Sequence, residues 1–350
     1  MKKKTNHIRS RRLQTALAFV FAIAAGEANA DTVPLRVVTT VPDLAVLAKA
    51  VGGDSTEVSS MVSEHEDAHF VEAKPSFVKR LSEADAFISV GLGLEIGYEE
   101  ALLVSARNAQ VMPGRPGHIV AAAAVQPMGV VPAGVVSRAM GDVHPGGNPH
   151  FLVDPLSAVQ VAELIAKRFA EIRPAEAGAF RERAAEFRRS IGRALVGDAL
   201  HEKYGGTKLA LLYGRGGLPA FLADQGDTDK LAGWLGSLVP YFGTKAVDDH
   251  DIWPYFARTF GLEIIGHLEP KPGIRPTTKH LKHVIERMHA ENVHLVIKAP
   301  YYDPRHAEFV AEHTGATVAE LSHQAAPSRS YVDFVDANVS ALLGAVEANE

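Results

Sequence analysis

Three histidines stand in settings that suit a metal ion. They are His69 in Glu66-Asp67-Ala68-His69-Phe70-Val71-Glu72, His150 in Asn148-Pro149-His150-Phe151-Leu152-Val153-Asp154-Pro155, and His250 in Asp248-Asp249-His250-Asp251-Ile252-Trp253-Pro254-Tyr255. Neutral imidazole is the commonest side-chain ligand for borderline cations, and zinc takes it at roughly 2.0–2.1 Å in tetrahedral groups. The three lie 81 and 100 residues apart, so no single turn holds them, and a shared ion must be gathered from separate loops of a finished fold. A histidine taken alone is a surface residue before it is a ligand. His280, His283, His289 and His294 illustrate this, falling on and after one polar helical stretch beside Lys279, Lys282, Glu286 and Arg287. His69, His150 and His250 differ because each sits at a strand-to-helix or loop-to-helix junction, and open α/β sheets bind ligands at the carboxyl ends of their strands.

A competing chemistry starts from the same residues. His69-Phe70-Val71-Glu72 has the His-x-x-Glu spacing that some zinc peptidases use with a distant third histidine. Two fixed positions in four arise often by chance. No His-Glu-x-x-His, no Gly-x-Ser-x-Gly and no phosphate-cradling glycine loop accompanies them. A secreted zinc-dependent hydrolase is therefore the alternative to a metal carrier, and an adhesin with an incidental zinc site is a third. The carrier, which is not an enzyme, is the expectation.

The elements that must position these residues alternate. Leu35 to Thr40, Ala84 to Val90, Lys208 to Tyr213, Leu262 to Ile265 and Val293 to Ile297 read as strands. A helix that Asp43 could cap runs to about Val51, and helical stretches lie near 252–260, 277–290 and 304–314. Alternation of this kind predicts parallel sheets flanked by helices. Between the two sets, 155 to about 200 is dominated by Ala, Glu, Arg and Leu at helical spacing, and reads as a long helix, kinked or capped at Arg173-Pro174. The expected organisation is a signal segment over 1–30, an amino-terminal α/β lobe over 31–154, a connecting helix over 155–203 and a carboxy-terminal α/β lobe over 204–350. Residues 108–147, rich in Gly, Pro, Ala and Val, have room for a strand or two plus a loop.

The first thirty residues carry a basic head, an apolar run from Ala16 to Ala25 and the small-x-small site Ala28-Asn29-Ala30. This is the pattern of a cleavable secretory signal, too short in its apolar part to span a bilayer. Arg11-Arg12 leaves general and twin-arginine export both open. The chain has no cysteine, hence no disulfide and no cysteine-linked lipid. Periplasmic residence is the expectation. The net charge of −5 becomes −10 without the signal, leaving 30 basic against 40 acidic side chains. That favours cations over nucleic acid. At 320 residues beyond the signal, the chain exceeds the usual single core and suggests two lobes.

Several pieces together resemble the substrate-binding proteins of zinc and manganese ABC importers, the ZnuA-type cluster, over nearly the whole mature length. They are His69 with Pro75-Ser76, the Ala84-Asp85-Ala86-Phe87-Ile88 strand leading to Gly91-Leu92-Gly93-Leu94-Glu95, Asn148-Pro149-His150-Phe151 with Asp154-Pro155, and His250 through Trp253-Pro254-Tyr255-Phe256. His144 through His150 and Leu268 through Ile274 look most like the AztC-type branch. The resemblance implies that His69 and His150 from the first lobe and His250 from the second ligate one metal ion. In much of the family a late-loop aspartate completes the site. Here Ser322 stands at that place and His323 beside it, while Lys298 stands where relatives often carry an acidic residue. His323, Asp303 and water remain alternatives for the fourth ligand.

Three neutral imidazoles suit zinc and copper(II) better than manganese, which prefers carboxylate oxygens, and zinc is the expected ion. Asp248, Asp249, Asp251, Glu66 and Asp67 could orient the rings and offset the ion's charge, or form a solvated acidic rim. The resemblance further implies a monomer that passes Zn2+ to an inner-membrane permease driven by a separate ATPase, with a zinc metallochaperone as a candidate donor.

Overall fold

The computed structural model describes residues 33–69, 71–131, 144–271 and 273–349. The signal segment lies outside the described residues, as do Phe70 and Pro272 of the quoted motifs. Among the described residues no helix is long and apolar enough to cross a membrane.

The first sheet is built from β1 (Leu35–Thr39), β2 (Thr56–Ser60), β3 (Ala86–Ser89) and β4 (His118–Val120). All are parallel, in the order β2-β1-β3-β4, with Val37 opposite both Val58 and Ala86, and Ile88 opposite Ile119. Strands β1 and β3 are almost wholly buried, as the near-continuous apolar runs of a doubly covered parallel sheet require. The crossovers carry α1 (Pro42–Gly52), α2 (Pro75–Ser82) and α3 (Glu99–Ala106). Val41 rather than Asp43 is the N-cap of α1, because Pro42 already occupies the first helical turn. Asp43 is freed for another task, accepting the backbone N–H of Ala325 at 2.9 Å from the far end of the chain.

The helical run after Asp154 divides where proline demands it. α4 (Pro155–Ile172) ends at Arg173, Pro174 opens a short turn, and α5 (Ala177–Val196) folds back. Phe169 meets Phe180 with ring centroids 5.6 Å apart, and Glu163 pairs with Arg188, so the two helices are antiparallel. The 20 residues of α5 make a rod about 30 Å long. Arg183 near its start donates to the Val51 carbonyl of the first lobe at 2.6 Å. Its other end meets the second lobe, feeding α6 (Asp198–Tyr204) and α7 (Gly206–Tyr213). The expected strand over 208–213 is therefore a helix. Gly206, Leu209, Ala210 and Tyr213 are its buried residues, a spacing of one helical turn. Gly206 allows α7 to touch α5, since a Cβ there would fall 1.9 Å from the Gly192 carbonyl oxygen. Then come α8 (Leu218–Gln225) and α9 (Gly233–Leu238).

The second sheet repeats the plan of the first. β5 (Thr244–Asp248), β6 (Leu262–His267), β7 (Leu295–Lys298) and β8 (Thr317–Glu320) are parallel in the order β6-β5-β7-β8. Its helices are α10 (Pro254–Phe260), α11 (Thr278–Glu291), α12 (Pro304–Thr314) and α13 (Tyr331–Glu347). The two α/β lobes with parallel sheets, linked by a long helix, match the expected fold class. In both sheets the chain changes direction between the two central strands, so the carboxyl ends of β1/β3 and of β5/β7 each form a switch-point crevice.

One apolar core runs through both halves, from Leu35 and Ile88 across Phe169 and Ile191 to Trp253, Ile297 and Leu342. Polar joints pin it. Asp154, wholly buried, caps α4 by accepting from the Leu156 and Ser157 backbone. It also accepts from the hydroxyl of Thr259 at 2.8 Å and the guanidinium of Arg258 at 3.2 Å, both on α10.

A candidate metal centre between the two sheets

Each of the three histidines is fixed by a bond at its backbone and another at its ring. His69 lies on the loop after β2, where one Asp67 oxygen accepts both its backbone N–H at 2.9 Å and its ring Nδ1 at 2.8 Å. Burial alone would raise the Asp67 carboxyl, but its bonds and charge contact with His69 outweigh that and hold it below its usual value. With Nδ1 donating to a carboxylate, the Nε2 of His69 carries a lone pair.

His150 follows the Gly147-Asn148-Pro149 turn at the start of a short 3-10 segment. Its N–H donates to the Asn148 side chain at 2.8 Å. Asn148 in turn donates to the Asp251 carbonyl at 2.6 Å and its own carbonyl accepts from Tyr255, so the His150 turn is clamped to the His250 loop. The Nε2 of His150 is buried and has no hydrogen-bond partner. Burial, reinforced by the neighbouring imidazoles, pushes its pKa well down, so the ring is neutral and available to a cation.

His250 follows β5 at the switch point of the second sheet. Its backbone N–H donates to Asp249, whose other oxygen accepts from Ala299 at the end of β7. Burial raises Asp249 to about 8. The Nδ1 of His250 lies 2.9 Å from Glu269. Burial pulls the His250 pKa down, yet the bond and charge of Glu269 win and leave it raised. One nitrogen from each of His69, His150 and His250 lies within 4.8 Å of the others.

His323 stands just outside this trio. Its Nε2 is 3.1 Å from the Nδ1 of His150, and its own Nδ1 is 2.9 Å from the Tyr301 hydroxyl. Burial pushes it down to about 3, so it is a neutral relay. For His150 to offer a lone pair at Nε2, the bonds must run outward, with His150 donating to His323 and His323 to Tyr301. Asp303 is engaged elsewhere, accepting from the Arg305 backbone as the cap of α12 and pairing with the Arg305 guanidinium. Ser322 is held through its backbone by Asn338. Lys298 is buried and paired with Glu320 at 2.6 Å. Of the acidic residues singled out in the sequence, Asp67 and Asp249 touch site histidines. Asp248 instead pairs with His267, and Glu66 accepts from the Ser63 backbone.

Two contacts go beyond the residues that the sequence marks as ligands. Glu269 is one, and its place just beyond β6 at the carboxyl end of a sheet is a usable signal. His144 also belongs here, with its Nε2 3.1 Å from that of His69. The histidines of the polar helix stay away: His280 bonds the His267 carbonyl, His289 the His313 carbonyl and His294 the Asn292 side chain, while His283 lies exposed 3.9 Å from Glu286. Glu72 is exposed and lines a separate hollow with Val62, Lys74 and Phe77.

A cavity of about 660 Å³, lined by His69, His250, Glu269, Tyr301 and Tyr302 among others, leads to the site from solvent. Behind it, His69, His150 and His323 border a void of about 20 Å³, room for one water-sized occupant. The arrangement is a set of imidazoles whose outer nitrogens are tied to carboxylates or to another ring. Such bonds fix the tautomer and raise the basicity of a metal-binding nitrogen.

The family model described as "Zinc-uptake complex component A periplasmic" matches residues 37–195 and 228–345. The crystal structure of ZnuA is 22% identical, with a TM-score of 0.65 over 89% of this chain and 99% of that one. FpvC from Pseudomonas aeruginosa in complex with Ni2+ is 19% identical, with a TM-score of 0.65 over 91% and 98%. At these identities the likeness is one of fold. The metal ABC transporter substrate-binding lipoprotein FimA of Streptococcus parasanguinis is 37% identical over 86 residues, which is 24% of this chain and 28% of FimA. The alignment thus spans under a third of that curated relative.

Proposed function

Because this chain belongs to the zinc-uptake complex component A family, we propose that it captures Zn2+ outside the cytoplasmic membrane and delivers it to an ABC-type importer. One observation carries the reading: nitrogens of His69, His150 and His250 converge within 4.8 Å, and each ring's other nitrogen is engaged, by Asp67, His323 and Glu269 respectively. Neutral imidazoles favour zinc over manganese. The nearby Asp67 and Glu269 carboxylates offset the ion's charge without entering the first coordination sphere, as carboxylate–histidine–zinc arrangements do. His323 acts in this scheme as the outer partner that orients His150.

Capture proceeds through the large cavity, in which the carboxylates of Asp67 and Glu269 attract a hydrated cation. Delivery requires a membrane permease with its ATPase, and a metallochaperone would load the chain through the same mouth. The protein works as a monomer in the periplasm after removal of its signal segment. The hydrolase alternative is disfavoured because Glu72, which the His-x-x-Glu pattern would make a metal ligand, is exposed and lines a hollow that contains none of the three histidines.

Native mass spectrometry of the mature chain, with chelator competition, tests the proposal. One zinc per chain and weak manganese binding are expected. No zinc bound, or a preference for manganese, would overturn it.

A further inference from the structure

We infer that His144 is a fourth imidazole ligand of the same ion, an assignment that rests on the metal-binding reading of the cleft. The Nε2 atoms of His144 and His69 stand 3.1 Å apart, with ring centroids separated by 5.2 Å. Two nitrogens on a tetrahedral zinc with ordinary Zn–N bonds are separated by about 3.3 Å. The pair therefore already has the spacing of two corners of a zinc tetrahedron. The trio of His69, His150 and His250 is looser, spread over as much as 4.8 Å, and must contract onto an ion. His144 lies beyond that spread and joins by the same contraction.

Asp67 holds the Nδ1 of His69 at 2.8 Å while the Nε2 of the same ring faces His144, and an outer nitrogen held by a carboxylate is the arrangement that orients a metal-binding imidazole.

The backbone is built to hold His144 there. His144 and His150 share one segment, and the Gly147 N–H bonds the His144 carbonyl at 3.0 Å while Asn148 N–H bonds Met128 at 2.7 Å. Gly147 has φ +116, and a Cβ there would lie 2.5 Å from Pro127, so this turn admits only glycine. The other candidates are committed: His323 to the outer nitrogen of His150 and Asp303 to Arg305. The ligand set becomes four neutral imidazoles, three from the first half of the chain.

X-ray absorption on the zinc-loaded full chain counts imidazoles directly. Wild type should give four, His144→Ala and His144→Gln three plus a light oxygen donor, and His323→Ala four. Chelator competition should show a loss of about tenfold or more for both His144 variants, and their Co2+ absorption spectra should differ from wild type. Zinc bound by three imidazoles in wild type overturns the assignment and spares the function. So do His144 variants with unchanged affinity and unchanged Co2+ spectra. A wild-type chain that binds no zinc overturns both.

Discussion

At the scale of single residues, the site separates nitrogens that face the cleft from nitrogens that hold the ring. The unpartnered Nε2 of His150 and the Glu269-bound ring of His250 put these two in the first group, whereas His323 reaches the outer nitrogen of His150. His150→Ala and His250→Ala should each cost more zinc affinity than His323→Ala, for which a loss of about 10–100-fold is expected. Calorimetric titration of the three variants measures this, and equal losses would make His323 a ligand. The pH profile follows from the same environments. A ligand must be neutral to bind, so a proton is released only by a ring that still carries one. Burial keeps His150 and His323 neutral well below pH 6.5, whereas Glu269 raises His250 above its usual 6.5. Zinc affinity should therefore fall as pH drops through the raised His250 pKa, and rise no further above it. Near neutral pH His250 should contribute up to one proton per zinc to the slope of log affinity against pH, which steepens in acid as further rings compete. A flat profile between pH 5 and 8 would mean that these histidines do not hold the metal.

Among the elements, the α4–α5 hairpin and the caps at its ends decide where the histidine loops stand. Asp154 caps α4 four residues after His150 and reaches Thr259 and Arg258 on α10, the helix that starts four residues after His250. One buried carboxylate thus sets the distance between the His150 and His250 loops. Asp154→Ala removes a cap worth about 1 kcal/mol and strands at least one buried donor worth about 1–3 kcal/mol. A stability loss of about 3 kcal/mol in urea denaturation is expected, together with weaker zinc binding. A loss below about 1 kcal/mol would show that the joint is not tight.

For the molecule as a whole, the lobes are tied by more than a hinge. α5 touches both halves, the apolar core runs through them, and Asp43 at one end of the chain accepts from Ala325 near the other. Burial raises Asp43 to about 7, so this bond persists with a neutral side chain. A helical rod and a shared core oppose the large rotations that loop hinges permit. Small-angle scattering with and without zinc should therefore give the same radius of gyration within error. A contraction typical of hinged binding proteins would contradict the shared-core architecture.

Much of this protein follows from local pattern alone. Buried runs such as Leu35–Thr39 and Leu295–Lys298, alternating with amphipathic stretches such as 278–291, are sufficient to predict parallel sheets covered by helices. Junction residues at the carboxyl ends of strands then point to His69, His150 and His250. What the chain cannot state locally is which partner each side chain meets. The decisive contacts join residues far apart: His69 with His144 over 75 positions, His150 with His323 over 173, and Asp43 with Ala325 over 282. His250 and Glu269 are 19 apart but meet only because β5 and β6 lie side by side. α7 shows the same limit, since its short apolar run suits a strand or a helix until Gly206 meets Gly192 of α5. Composition and period indicate most of the elements, though not α7, because they depend on neighbours in sequence. Which nitrogen of each ring faces the cleft, the outer place of His323 and the nearness of His144 were decided by tertiary packing, which alone sets hydrogen-bond partners between loops.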